Sequence, residues 1–301
     1  MTKPPLLAPL PAPTPPPALN LDYLHAKPIL LRGRQTLRLV LVGCGGTGSW
    51  LAPSLARLTR VLRDAGRHIS LTFIDPDTVE AGNVPRQNFC AAEIGGAKAA
   101  ALALRYGRAW SLDIAAVCAP FAAEQVPPRY DDLLILCGAV DNAAARRTLA
   151  GVLGEHNRRC ESASPPAWWL DCGNAADTGQ VLLGSALDPA GLRYAFQPAD
   201  VCRVLPAPSL QCPDLLTDRP EEQPDSRLSC AELMLRNAQS LMINQAVASA
   251  ASALLHRLLV TGDLRIFATY LDLVAGSQRS DYTNPAAVGR YAEPRPEKKA
   301  A

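Results

Sequence analysis

The sequence predicts an α/β fold: a Rossmann-like, doubly wound and mostly parallel sheet, followed by a crossover segment, a long helix and additional strands. Two observations carry this reading. Short apolar runs alternate with helices built from small residues, the pattern of a parallel sheet covered on both faces. The first of these runs also breaks into a glycine loop, "VGCGGTGS", where Gly43, Gly45 and Gly48 fit G-x-G-x-x-G between a strand and a helix.

Each element follows in order. "LRLVLVG" reads as a buried strand, Gly48 to about Leu62 as a helix, and "ISLTFID" as a second strand. A loop runs through Phe89, and an alanine-rich helix follows from about Gly96 to Trp110. "IAAVCA" and "DLLILCG" are further strands, with a helix from Asn142 to about Leu153 after the second. "AWWLDCG" and "GQVLLG" read as two more. An irregular, proline-rich crossover spans 188–229, then a long helix from about Ala231 to Leu259 and a final strand, "LRIFATYLDL". Residues 1–20 are proline-rich and lack a hydrophobic period, so they read as a flexible leader. Residues 21–290 form the nucleotide-binding unit, and 291–301 a loose charged tail.

Composition bounds the function. The 301 residues are 48% hydrophobic, enough for one sizeable core with appendages. Lys plus Arg number 30 against 28 for Asp plus Glu, a balance that argues against a nucleic-acid partner. No apolar run approaches a membrane span, so no membrane partner is expected. Nine cysteines are scattered along the chain, and the proline-rich start cannot form the core of a secretory signal. The expected location is therefore a reducing cytoplasm, with free thiols.

The candidate site begins at the glycine loop. Glycines there let backbone amides approach a phosphate at a helix N-terminus. The next strand ends in Asp75, placed to accept hydrogen bonds from ribose hydroxyls. The segment "DPDTVEAGNVPRQNF" then crowds Asp75, Asp77, Glu80, Asn83, Arg86 and Gln87 together, and Lys98 follows near a helix start. Two cations, Arg86 and Lys98, suit a triphosphate better than a hydride carrier, while Asn83 and Gln87 fix the loop. Asp141 stands after a strand and before a helix. It reads either as the helix N-cap or, at the carboxyl end of a parallel strand, as a Mg2+ ligand.

The blocks "VGCGGTGS", "DPDTVEAGNVPRQNF", "GGAKAAAL" and "GAVDNAAAR" together resemble the ThiF/MoeB/ubiquitin-activating superfamily of adenylyltransferases over roughly Leu37 to Arg147. The whole chain looks closest to the ThiF-like family of plasmid-borne PRTRC cassettes. The resemblance implies ATP and Mg2+ as cofactors and adenylation of the C-terminal glycine carboxylate of a small ubiquitin-like or sulfur-carrier-type protein. By motif, Gly43, Gly45, Gly46 and Gly48 would line the nucleotide with Asp75, Asn83 and Gln87. Arg86 and Lys98 would neutralise phosphate charge, and Asp141 would hold Mg2+. Cys230, at the start of the long helix with Arg227 nearby, is the candidate acyl acceptor, with Cys212 second; a buried structural role is its alternative. Cys44 and Cys172 read as structural. The paired C-x-x-C motifs that bind zinc in relatives are missing, so no structural zinc is expected. The N-terminal arginine segment of relatives is also not evident, with Arg32 or Arg34 as possible substitutes, which weakens the expectation of the family's homodimer. Two other readings are kept: a catalytically idle ATP-binding partner protein, and an NAD-dependent dehydrogenase, which Arg86, Lys98 and Asp141 disfavour.

Overall fold

Five apolar runs become parallel strands, and helices cover three of them, "LRLVLV", "DLLILCG" and "AWWLDCG", on both faces. In the computed structural model, which describes residues 21–31, 33, 36–158, 164–218 and 242–292, these are β1 (Thr36–Val42), β2 (His68–Ile74), β3 (Ile114–Val117), β4 (Asp132–Gly138) and β5 (Ala167–Asn174). Three antiparallel strands extend the sheet: β6 (Thr178–Gly184), β7 (Ile266–Asp272) and β8 (Ser277–Tyr282). The spatial order is β3-β2-β1-β4-β5-β6-β7-β8.

Alternate residues of the central strands feed two cores, as the two-residue period of a strand requires. Leu37, Leu39 and Leu41 of β1 and Leu133 and Ile135 of β4 face one core. Val40, Val42, Leu134 and Leu136 face the other. Helices α1 (Gly46–Asp64), α2 (Lys98–Trp110) and α4 (Ile243–His256) cover the first face through Leu51, Leu55, Leu102, Val247 and Leu255. Helix α3 (Ala143–Arg158) covers the second through Leu149 and Leu153.

Several boundaries differ from the sequence reading. Helix α1 starts at Gly46 rather than Gly48, because the chain turns into helix immediately after Gly45. Strand β8 is not foreseen: "SQRSDY" is a polar edge strand with no apolar run to betray it. The crossover is not wholly irregular. Its described part contains short turns at Pro189–Leu192, Pro208–Gln211 and Pro213–Leu216. Of the long C-terminal helix, the described part begins at Ile243 and ends in a π turn, Arg257–Thr261. Cys230, with Arg32, Arg34 and Arg227, lies outside the described residues. Among the described residues no helix is long and apolar enough to cross a membrane.

The chain runs outward from β1 to β3 and then crosses back to β4. The carboxyl ends of β1 and β4, which are level because Val42 pairs with both Ile74 and Gly138, therefore flank the crevice where doubly wound sheets bind ligands.

Candidate nucleotide and acceptor site

The glycine loop is shaped by packing as much as by openness. Gly43 has φ +88°, and a Cβ there would lie 2.6 Å from the Ala139 carbonyl oxygen. A Cβ on Gly48 would collide with the Gly43 carbonyl oxygen, so Gly48 lets α1 sit on the loop. Gly46 is pressed against Asn244 of α4, 2.7 Å from its Oδ1 by the same measure. Gly45 differs: it precedes the first residue of α1, no side chain among the described residues caps the helix, and the nearest atom to an added Cβ is Gln87 Nε2 at 3.9 Å. The first turn of α1 holds no acidic residue. An uncapped helix N-terminus of this length is an anion site by its free N–H groups and its dipole.

Asp75, buried at the end of β2, braces this loop. Its Oδ2 accepts from Cys44 N at 2.5 Å and its Oδ1 from Asp77 N at 2.8 Å. Burial pushes the Asp75 carboxyl above the usual carboxylate range, and the two backbone N–H groups oppose that rise. Cys44 is fully buried, and desolvation together with Asp75 drives its thiol well above the ordinary value, so it is unreactive packing.

The next loop brings the polar residues to the same crevice. Asn83 is buried; its Oδ1 accepts from Glu80 N at 2.9 Å, and its carbonyl accepts from Gln87 N at 2.8 Å and Arg86 N at 3.1 Å. This turn sets out Arg86 and Gln87. Gln87 is buried, and its Oε1 has no hydrogen-bond partner among the described residues. Arg86 is half-buried and forms no ion pair among the described residues. Lys98, the first residue of α2, is buried and donates from Nζ to Asp77 Oδ2 at 2.9 Å. The Asp77 carboxylate is mostly exposed, so Lys98 is held in place without being enclosed.

Asp141 is not the cap of α3. Asn142 takes that role, its Oδ1 accepting from Ala145 N at 2.8 Å, while Asp141 is exposed and accepts only a 3.2 Å bond from Asn142 Nδ2 among the described residues. The adjacent asparagine thus leaves the Asp141 carboxylate available beside the glycine loop.

Three asparagines missed by sequence reasoning complete the site. Asn88 donates from its backbone N to Ser49 Oγ at 2.9 Å, tying the Arg86 loop to α1. Asn174, at the end of β5, donates to Thr47 Oγ1 at 3.1 Å and to Asn244 Oδ1 at 2.6 Å. Asn244 is buried in α4, and its Oδ1 also accepts from Thr47 Oγ1 at 3.1 Å. The sequence offers only weak signals for them: an asparagine ending an apolar strand, and a polar residue on an otherwise apolar helix. Cys212 is half-buried and lines a groove of about 600 Å³ that also contains Asn174.

No curated protein matches the chain by sequence. Among solved structures, Escherichia coli MccB with selenomethionine MccA superposes with TM-score 0.51 at 15% identity, over 87% of this chain and 65% of that one. E. coli MccB with ATP gives 0.49 at 15% identity, over 87% and 66%. PaaA gives 0.49 at 15% identity, over 82% and 64%. The chain spans less than two thirds of the length of these structures, and the first of them shows a shared fold. The ThiF family profile matches residues 30–187, more than half of the chain, which therefore belongs to the ThiF family.

Proposed function

We propose that the chain is an ATP-dependent adenylyltransferase acting on the C-terminal carboxylate of a small ubiquitin-like or sulfur-carrier-type protein. One observation carries the reading: the uncapped N-terminus of α1 lies behind Gly45, and the loops around it supply two cations, Arg86 and Lys98, that suit a polyphosphate. Membership of the ThiF family supports adenylation as the chemistry. In that reaction an acceptor carboxylate oxygen attacks the α-phosphorus. A new C(O)–O–P bond forms, the bond between the α-phosphorus and the bridging oxygen breaks, and pyrophosphate leaves with that electron pair.

The residues divide the work. Gly43, Gly45, Gly46 and Gly48 set the α1 N–H groups against the phosphates, and Gln87, whose Nε2 is the atom nearest to a Cβ added at Gly45, offers an amide donor there. Asp75 holds the loop through Cys44 N and Asp77 N and, on this reading, takes the ribose with its remaining acceptor capacity. Lys98 and Arg86 stabilise negative charge as it moves onto pyrophosphate. Mg2+ fits Asp141: the carboxylate is exposed and relieved of capping, and Mg2+ is usually held by one or two carboxylates plus substrate phosphates. When bound there it neutralises phosphate charge. A homodimer, acyl transfer to a cysteine such as Cys230 and membership of the PRTRC subtype extend the same reading.

ATP–pyrophosphate exchange tests it, using the full chain, Mg2+ and small proteins ending in glycine, added one at a time. Exchange that requires one such protein and falls by about two orders of magnitude or more in Asp141→Ala is expected, the scale of losing one transition-state stabiliser. ATP binding without exchange for any acceptor would instead identify an idle nucleotide-binding protein.

A further inference from the structure

The glycine loop is held from behind by a helix that lies outside the family match. Asn244, the second residue of α4, is 1% exposed and is pressed against Gly46: a Cβ there would stand 2.7 Å from its Oδ1 and 3.1 Å from its Cγ and Nδ2. Helix α4 is seated as closely on the sheet, since a Cβ on Gly179 of β6 would stand 2.3 Å from Val247 and 3.3 Å from Ile243. Two glycines, one in the loop and one in a strand, therefore let the start of α4 touch both. From that seat Asn244 Oδ1 accepts from the Thr47 hydroxyl at 3.1 Å. Asn174 Nδ2 donates to the same Oδ1 at 2.6 Å and to Thr47 Oγ1 at 3.1 Å. The one proton of the hydroxyl thus goes to Asn244 while a lone pair takes Asn174, which fixes a buried side chain already stiff at χ1.

Thr47 stands in the middle of the turn that a phosphate would meet. The first bond of α1 runs from Ser49 N to Gly45 O at 3.0 Å, so the N–H groups of Gly46, Thr47 and Gly48 precede it and have no acceptor within the helix. We infer that Asn244 is a positioning residue for the nucleotide phosphates: through Thr47 it fixes the first turn of α1, so that these N–H groups keep one aim. The inference rests on the nucleotide site of the proposed function and is independent of which acceptor is used. Asn244 acts without reaching the nucleotide. A turn that rocks misaligns its donors, and a hydrogen bond weakens steeply off its axis. Ordering such a turn on binding also costs entropy that a clasped turn has already lost. Neither cost falls on adenosine, which carries no phosphate for the turn to hold.

Calorimetry on the full chain with Mg2+ tests this by comparing Kd for ATP with Kd for adenosine, a ratio that isolates the phosphates. Thr47→Val keeps the branched shape and removes the hydroxyl; it should weaken ATP about tenfold, the scale of one hydrogen bond, and leave adenosine unchanged. Thr47→Ser, which keeps the hydroxyl, should keep the native ratio. Asn244→Leu should lower the ratio as Thr47→Val does and also lower the melting temperature, because it strands the buried hydroxyl. The paired change Thr47→Val with Asn244→Leu removes donor and acceptor together, leaving Asn174, which lines the groove, to turn its amide to water. It should melt closer to the native chain than Asn244→Leu does and lose no more ATP affinity than either single change, since the two residues act as one unit. A merely structural contact would not separate stability from affinity in this way. A native ratio in Thr47→Val, equal weakening of ATP and adenosine, loss of the ratio in Thr47→Ser, or ATP affinity recovered in the paired variant would each overturn the inference. A native chain that binds ATP no tighter than adenosine overturns it together with the phosphate site. The ratio lost as expected, but with no ATP–pyrophosphate exchange for any acceptor in the native chain, upholds the role of Asn244 and sinks adenylation alone.

Discussion

Gly45 and Gly48 stand in one motif and are glycines for different reasons. At Gly48 a side chain would strike the Gly43 carbonyl, so the residue is demanded by packing of α1 on the loop. At Gly45 the nearest atom to an added Cβ is 3.9 Å away, so there is space for a side chain; what a methyl group would obstruct is the approach of a phosphate to the helix N-terminus. Gly48→Ala should therefore lose about 1–3 kcal/mol of stability in urea denaturation, the usual cost of overpacking. Gly45→Ala should unfold like the native chain and bind ATP about tenfold more weakly, a difference of about 1.4 kcal/mol. Native-like ATP affinity in Gly45→Ala would mean that the phosphates lie elsewhere. The motif was legible in the sequence, but this division of labour was not, because it depends on which backbone atoms face each glycine.

At the scale of the element, α3 shows what sequence leaves open. Asp141 and Asn142 are both good caps, and only the facing of an oxygen toward Ala145 N selects Asn142. Asn142→Ala should lower stability by about 1 kcal/mol in thermal unfolding, and Asp141→Ala should leave the melting temperature unchanged. A matching loss in Asp141→Ala would return that carboxylate to a structural role. Strands β1 to β7 could be read because each carries an apolar run, buried in all of them but the edge strand β3, whereas β8, an edge strand with exposed polar residues, carries no such signature. The loop residues Asp75, Asn83, Gln87 and Lys98 were legible for a similar reason: they sit in a compact run after a strand end. Asn174 and Asn244 were not, since each is a lone polar residue whose partner Thr47 is 127 or 197 positions away.

At the scale of the whole molecule, the family match stops at residue 187 but the core does not. Ile243, Val247, Ala251, Leu254 and Leu255 of α4 and Phe267 of β7 belong to the same buried cluster as Leu51 and Leu55 of α1. Asn244 reaches Thr47 in the first turn of α1, and β7 covers the outer edge of β6, where Val181 and Leu182 are buried. Each fully buried Leu, Ile, Val or Phe contributes about 1.5–3 kcal/mol, so losing these five groups, and exposing their partners, forfeits stabilisation on the scale of the 5–15 kcal/mol typical of a whole domain. A fragment ending at 187 should therefore lack cooperative unfolding and bind no ATP by calorimetry, although it keeps the glycine loop, Arg86, Lys98 and Asp141. Supplying residues 188–301 as a separate chain should restore nucleotide binding, because the missing surface is then returned without altering the site. If the fragment binds ATP unaided, the loop is held by its own half of the sheet, and the bonds from Asn244 and Asn174 to Thr47 are ornaments of the site rather than its frame.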